Sequence, residues 1–181
     1  LNPEIEVELI FDDKELDLST RQADIGIFMR RPKKLNYIQR KLIDINYHIY
    51  GSNKYLEKYG IPKTLNDLNK HKFISFGKGA PSPVYNPDWA LKIGMKDNVK
   101  RKSIMKVNSV MGLLLAVESG VGLAALPDYL VFKSTNLIKV LHKVQGPITE
   151  AYFVYPQSLK NVARVQAFRN FLFSKISEWK F

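Results

Sequence analysis

The chain has 181 residues, 45% of them apolar and 25% charged, enough for one globular domain or two small lobes with a buried core. It has no cysteine, so disulfides, thiolate nucleophiles and Cys-ligated metals are excluded. Its histidines, His48, His71 and His142, have no second ligand at i+3 or i+4, and no metal site is expected. The net charge is +11, from 28 Lys and Arg against 17 Asp and Glu, but the lysines are scattered and read as solvated surface rather than a nucleic-acid stripe.

Strand and helix patterns alternate along the chain. "IEVELIF" (5–11) has period-2 spacing and β-branched residues, which predicts a strand. "DDKELDLSTRQA" (12–23) predicts a short helix, with Asp12 and Asp13 near its positive end. "DIGIFM" (24–29) is an apolar strand, and "NYIQRKLIDINYHIYG" (36–51) supplies one or two more. Ser52 caps a helix over "NKYLEKY", and Gly60 ends it. Thr64 and Asp67 form a capping pattern for another short helix, and "KFISF" (72–76) is a strand.

Residues 77–88, rich in Pro, Gly and Asn, read as a loop, and Trp89 begins another strand. The basic run "KDNVKRKSIMK" (96–106) reads as a solvated hairpin, with a strand ending at Asn108. Ser109 caps the helix "VMGLLLAVES". "YFVYP" (152–156) is a strand, and Ser158 caps a last helix whose Val162, Val165, Phe168 and Leu172 share one face.

"ESGVGLAALPDYL" (118–130) is the most informative run. Gly120 supplies a positive φ at the helix end, and Gly122 permits a close backbone approach. "LAAL" has no polar alternation and reads as a strand buried on both faces, in the manner of parallel sheets. Pro127 stops the strand and suits the start of a helix. A tight helix–turn–strand–helix unit within such alternation predicts an α/β class.

The same run, extended to "NSVMGLLLAVESGVGLAALPDYL" (108–130), resembles the signature of the effector-binding domain of LysR-type transcriptional regulators. "NPEIEVELIFDD", "LSTRQADIGIFMR", "IYGSNKYLEKYGIPKTLNDLNKHKFISF", Trp89 and "AYFVYP…VARVQAFRNFL" resemble further family segments in the family's order. The resemblance implies two α/β lobes of the type 2 periplasmic-binding-protein kind, joined by crossover strands near residues 46–48 and 154–156. Lobe one is then 1–46 with 156–181, and lobe two is 47–155. It also implies that lobe one lacks the family's first strand and helix. The full-length protein is then a cytoplasmic homodimer or tetramer that is not bound to a membrane and reads DNA through an N-terminal winged helix-turn-helix outside this chain.

The implied ligand is a small, anionic effector held between the lobes, with no cofactor. Asp12 and Asp13 match a family loop at the cleft; the alternative is that they only favour the helix dipole. Met29 and Arg30 end a strand at the cleft edge, where a guanidinium would clamp a carboxylate through two parallel hydrogen bonds; Arg30 reads equally as a solvated arginine beside Arg31. Asn108 and Ser109 open the helix before the signature, a place suited both to capping and to an anion. The alternative is an extracytoplasmic solute-binding protein of the same architecture. An enzyme is not expected, because paired carboxylates, an activated nucleophile and the third glycine of a phosphate loop are missing from the motifs.

Overall fold

The computed structural model describes residues 3–11, 16–77, 86, 88–96 and 99–179. The chain divides into two compact units, one from Leu1–Asp44 with Thr149–Lys180, the other from Ile45–Ile148. Two strands, over Tyr37–Ser52 and Ile148–Pro156, span the two boundaries.

In unit one, the segment 5–11 is not the strand that its alternation predicts. It forms no ladder among the described residues, and Leu9 and Phe11 are 69% and 93% exposed. Period-2 spacing provides a pleated face, but a strand needs a neighbour for its N–H and C=O groups. The helix predicted for 12–23 shrinks to one 3-10 turn, Leu18–Thr20, with residues 12–15 outside the described part. Asp17 fixes that turn by accepting from the Ser19 amide at 3.0 Å, and Arg21, at φ 58°, ends it. The Asp17 carboxylate also accepts from Lys34 Nζ at 2.6 Å and Tyr37 OH at 2.8 Å.

Strand β1 (Gly26–Phe28) pairs antiparallel with β7 (Ile148–Pro156), Gly26 opposite Val154 and Phe28 opposite Tyr152. The long β2 (Tyr37–Ser52) lies on the other side of β7. Helix α5 (Ala163–Ser177) covers buried Phe153 and Tyr155 with Val162, Val165, Phe168 and Leu172, the predicted apolar face. Ser158 does not cap α5. It sits in a 3-10 turn, and the residue before the helix is Val162, whose side chain packs into the core while its carbonyl accepts from the Val165 and Gln166 amides at 3.1 Å.

In unit two, the last residues of β2 pair antiparallel with β5 (Ala124–Pro127) on one edge and with β6 (Leu137–Val140) on the other. The strand over 137–140 is not among those the sequence patterns predict, although the turn formers Ser134, Thr135 and Asn136 precede it. Helix α1 (Asn53–Tyr59) starts where predicted, Ser52 Oγ accepting from the Tyr55 amide at 3.3 Å, and ends at Gly60 with φ 83°. Thr64 and Asp67 bond reciprocally, amide to side chain, at 2.9 and 3.3 Å, and lead into a 3-10 turn, Asp67–Lys70.

Strand β3 (Phe73–Phe76) pairs parallel with β4 (Ser103–Val107), so the basic run 96–106 is not a hairpin. Between them lies α2 (Trp89–Lys92), a helix where a strand was predicted; Ala and Leu favour it, and Trp89, Ala90 and Leu91 are all buried. Arg101, just before β4, is 8% exposed and donates to the carbonyls of Ile93 (2.8 Å) and Leu65 (3.1 Å) and to Asn69 Oδ1 (2.8 Å). It ties the segment after α2 back to the start of the domain's 3-10 turn.

Helix α3 (Val110–Glu118), β5 and α4 (Asp128–Val131) reproduce the predicted unit. Gly120 has φ 79°, and a Cβ at Gly122 would stand 2.7 Å from the Lys72 carbonyl oxygen. The "LAAL" strand is mostly buried, but its orientation differs from the expectation. It runs parallel only to β3, through the Phe73–Leu123 bridge, and antiparallel to β2. The core of this unit gathers Tyr50, Ile74, Leu113, Val117, Ala124 and Leu126.

Candidate functional site

β3 and β4 run parallel and end together, β3 at Phe76 and β4 at Val107. The Gly77 amide donates to the Val107 carbonyl at 2.9 Å, fixing the two ends side by side. α3 begins two residues after β4. In α/β sheets the space beyond the carboxyl ends of parallel strands is where ligands collect, because helix starts and flexible loops meet there.

Asn108 and Ser109 occupy this place, and both are exposed. Ser109 has extended φ −132° and ψ 134°, and its Oγ accepts from the Gly112 amide at 3.4 Å. One of the first-turn donors is thereby satisfied; the Val110 and Met111 amides have no acceptor within the helix. No acidic residue lies in that turn. A Cβ at Gly112 would stand 2.6 Å from Val107 Cγ1, so the valine side chain would have to shift to admit it. The geometry offers amides and two small polar side chains to an anion, and capping and binding draw on the same group.

Met29 and Arg30 belong to unit one and follow β1 in a bend, Met29 half-buried and Arg30 exposed. Asp12 and Asp13 lie outside the described residues. The structure thus brings Asn108 next to Ser109, and Met29 next to Arg30, each pair within its own unit. Gly77 belongs with the first pair; its only trace in sequence is that it opens the Pro- and Gly-rich loop.

A second polar constellation lies inside unit two. Asp128, 7% exposed, receives the His48 ring Nδ1 at 2.8 and 3.0 Å on its two oxygens, Tyr50 OH at 2.8 Å and Lys139 Nζ at 3.1 Å. Burial pushes the Asp128 carboxyl up, but the bonds from His48, Tyr50 and Lys139 outweigh it and hold the carboxyl below its ordinary value. Burial, then the adjacent carboxylate, pushes the Tyr50 phenol far up. The cluster ties α4 to β2 and β6. Sequence spacing left His48 without a partner, because Asp128 is 80 residues away.

The chain matches the model of the LysR substrate binding domain over residues 1–176. It is 29% identical, over 159 residues, to an uncharacterized HTH-type transcriptional regulator of Haemophilus influenzae, covering 86% of this chain and 54% of that one. It is 25% identical to the HTH-type transcriptional regulator CrgA of Neisseria meningitidis, covering 96% of this chain and 58% of that one. The chain therefore spans a little over half the length of these relatives.

Among solved structures, it resembles the regulatory domain of CrgA from Neisseria meningitidis with a TM-score of 0.74 at 23% identity, over 88% of this chain and 78% of that one. It resembles the effector domain of AmpR from Pseudomonas aeruginosa with a TM-score of 0.69 at 15% identity, over 97% and 83%. At these identities the likeness is one of fold, an α/β architecture of the type 2 periplasmic-binding-protein kind. With the family model matched over nearly its whole length, the chain belongs to the LysR substrate-binding domain family.

Proposed function

We propose that the chain is the effector-sensing part of a LysR-type transcriptional regulator and takes a small organic anion at the start of α3. The observation that carries this is the convergence of the β3 and β4 ends on an α3 first turn that has free amides and no acidic residue. Asn108 and Ser109 bond the anion; Asp12, Asp13, Met29 and Arg30 are further effector-contact candidates by family resemblance alone. The protein binds rather than transforms its ligand, and its relatives are named as regulators, which disfavours a solute-binding role.

The full-length protein, on this reading, works as a cytoplasmic homodimer or tetramer that contacts DNA through an N-terminal winged helix-turn-helix. No described helix is long and apolar enough to cross a membrane.

Differential scanning fluorimetry of this chain with acetate, succinate, benzoate and inorganic phosphate tests the ligand class. At least one anion raises the melting temperature of the parent chain, and Arg30→Ala and Ser109→Ala each reduce that rise. An undiminished rise in both variants removes these residues from the site.

A further inference from the structure

The net charge is not evenly shared between the two units. Residues 45–148 hold fifteen Lys and Arg against six Asp and Glu, a balance of +9; the remainder hold thirteen against eleven, or +2. The scatter read from the sequence conceals a basic unit two.

One face of that unit is organised around exposed Tyr59. Tyr55, 1% exposed, accepts from the Lys72 amide at 2.8 Å and packs its ring 4.7 Å from that of Tyr59. The Lys58 and Lys72 ammonium groups each stand 5.4 Å from the Tyr59 ring centroid. Lys72, and then Lys58, pull the Tyr59 phenol below its ordinary pKa. Lys54 lies one helical turn before Lys58, its stem beside Gly120 at the end of α3, where a Cβ would stand 3.7 Å from Lys54 Cδ.

Among the described residues, none of Lys54, Lys58 and Lys72 forms an ion pair, and Glu57, the acidic residue of α1, is unpaired as well. Like charges at i and i+4 destabilise a helix slightly. Lys58 and Lys72, held about Tyr59, and Lys54 one turn before Lys58 thus keep a repulsion that an outside anion would relieve.

We propose that Lys54, Lys58, Tyr59 and Lys72 form a sequence-independent contact for the phosphate backbone of nucleic acid. Ammonium groups and a tyrosine hydroxyl are both donors to phosphate oxygens. A continuous phosphate chain also engages further basic residues of a unit with net charge +9 and releases counterions along its length, which a short acidic peptide does not. The contact goes beyond the effector site and requires neither an effector nor a DNA-reading segment, so its failure leaves the proposed function standing.

The test is fluorescence anisotropy of this chain with a labelled duplex of arbitrary sequence, from 50 to 200 mM NaCl, beside a labelled polyglutamate peptide. A patch variant, Lys54→Gln/Lys58→Gln/Lys72→Gln, is compared with a charge-matched control, Lys102→Gln/Lys133→Gln/Lys143→Gln, after both are shown to keep the parent melting temperature. The parent binds the duplex more tightly than the peptide. The patch variant loses about tenfold or more in affinity, and its log K against log salt slope falls by about 2–3, near 0.9 per lost phosphate contact. The control moves the slope by less than about 1. No duplex binding, equal losses in the two variants, or tighter binding to polyglutamate overturns the proposal.

Discussion

Gly122 and Lys72 approach so closely that a Cβ on the glycine would stand 2.7 Å from the lysine carbonyl oxygen and 3.1 Å from its carbon. That carbonyl accepts from the Leu123 amide at 2.8 Å, and β3 begins at the next residue. The clash would be with backbone, which cannot rotate away. Gly122→Ala is expected to lose about 1–3 kcal/mol by urea denaturation, the usual scale of overpacking. Amide exchange in β3 should accelerate with it. A variant with parent stability and parent protection of β3 would show that the approach is not this close.

Asp128 carries the polar interior of unit two. Asp128→Ala leaves His48, Tyr50 and Lys139 without their acceptor and is expected to cost about 3–5 kcal/mol. Tyr50→Phe removes one bond to a charged group and should cost about 1.5–3 kcal/mol. The pH dependence follows from the lowered Asp128 value. The unfolded chain takes up a proton first, near the ordinary value of about 3.9, so the contribution is complete above that pH. It is lost as pH falls through the folded value. Urea midpoints of the parent between pH 5 and 2 should fall more steeply than those of Asp128→Ala; parallel curves would refute the assignment.

His71 is the corresponding group nearer neutrality. Burial, opposed by Asp67 and aided by Lys70, lowers its pKa below the ordinary histidine value, and its Nδ1 is buried without a partner among the described residues. On acidification the unfolded state protonates before the folded one. Stability from neutral His71 is therefore complete above about pH 6.5 and declines as pH falls through the folded value. His71→Gln should flatten the stability profile of the parent below pH 6.5, and an unchanged profile would place the pH dependence elsewhere.

Ser109→Ala should lose about 1 kcal/mol, the usual worth of an N-cap, because its Oγ accepts from Gly112. Arg30→Ala makes no such change to a helix start and, at an exposed position, should lose less stability than Ser109→Ala. Equal losses in guanidinium denaturation would mean that Arg30 is a structural residue rather than a ligand residue.

Local features were legible in the sequence because their causes are local. Ser52, Gly60, the Thr64–Asp67 pair, Ser109 and Gly120 each act within a few residues of themselves, and each is found where the pattern put it. Features that depend on distant partners were not legible. The alternation in 5–11 could not reveal that no strand pairs with it among the described residues. The apolar 123–126 run could reveal burial but not that β2 lies antiparallel beside it. The run before Ser109 showed a strand but not that it lies parallel to β3, and Ser158 looked like a cap although the residue before α5 is Val162. Of the candidate site, residue types were legible at Asn108 and Ser109. The Gly77 bond that holds their strand end in place was not.

The most direct measurement of the central claim, anion binding at the start of α3, is an amide NMR titration of this chain with succinate, benzoate and inorganic phosphate. Saturable shifts of the Val110, Met111 and Gly112 amides are expected with at least one of the three, weakened by Ser109→Ala. Saturable shifts confined to other residues, with these three amides unmoved by every anion, would contradict that claim.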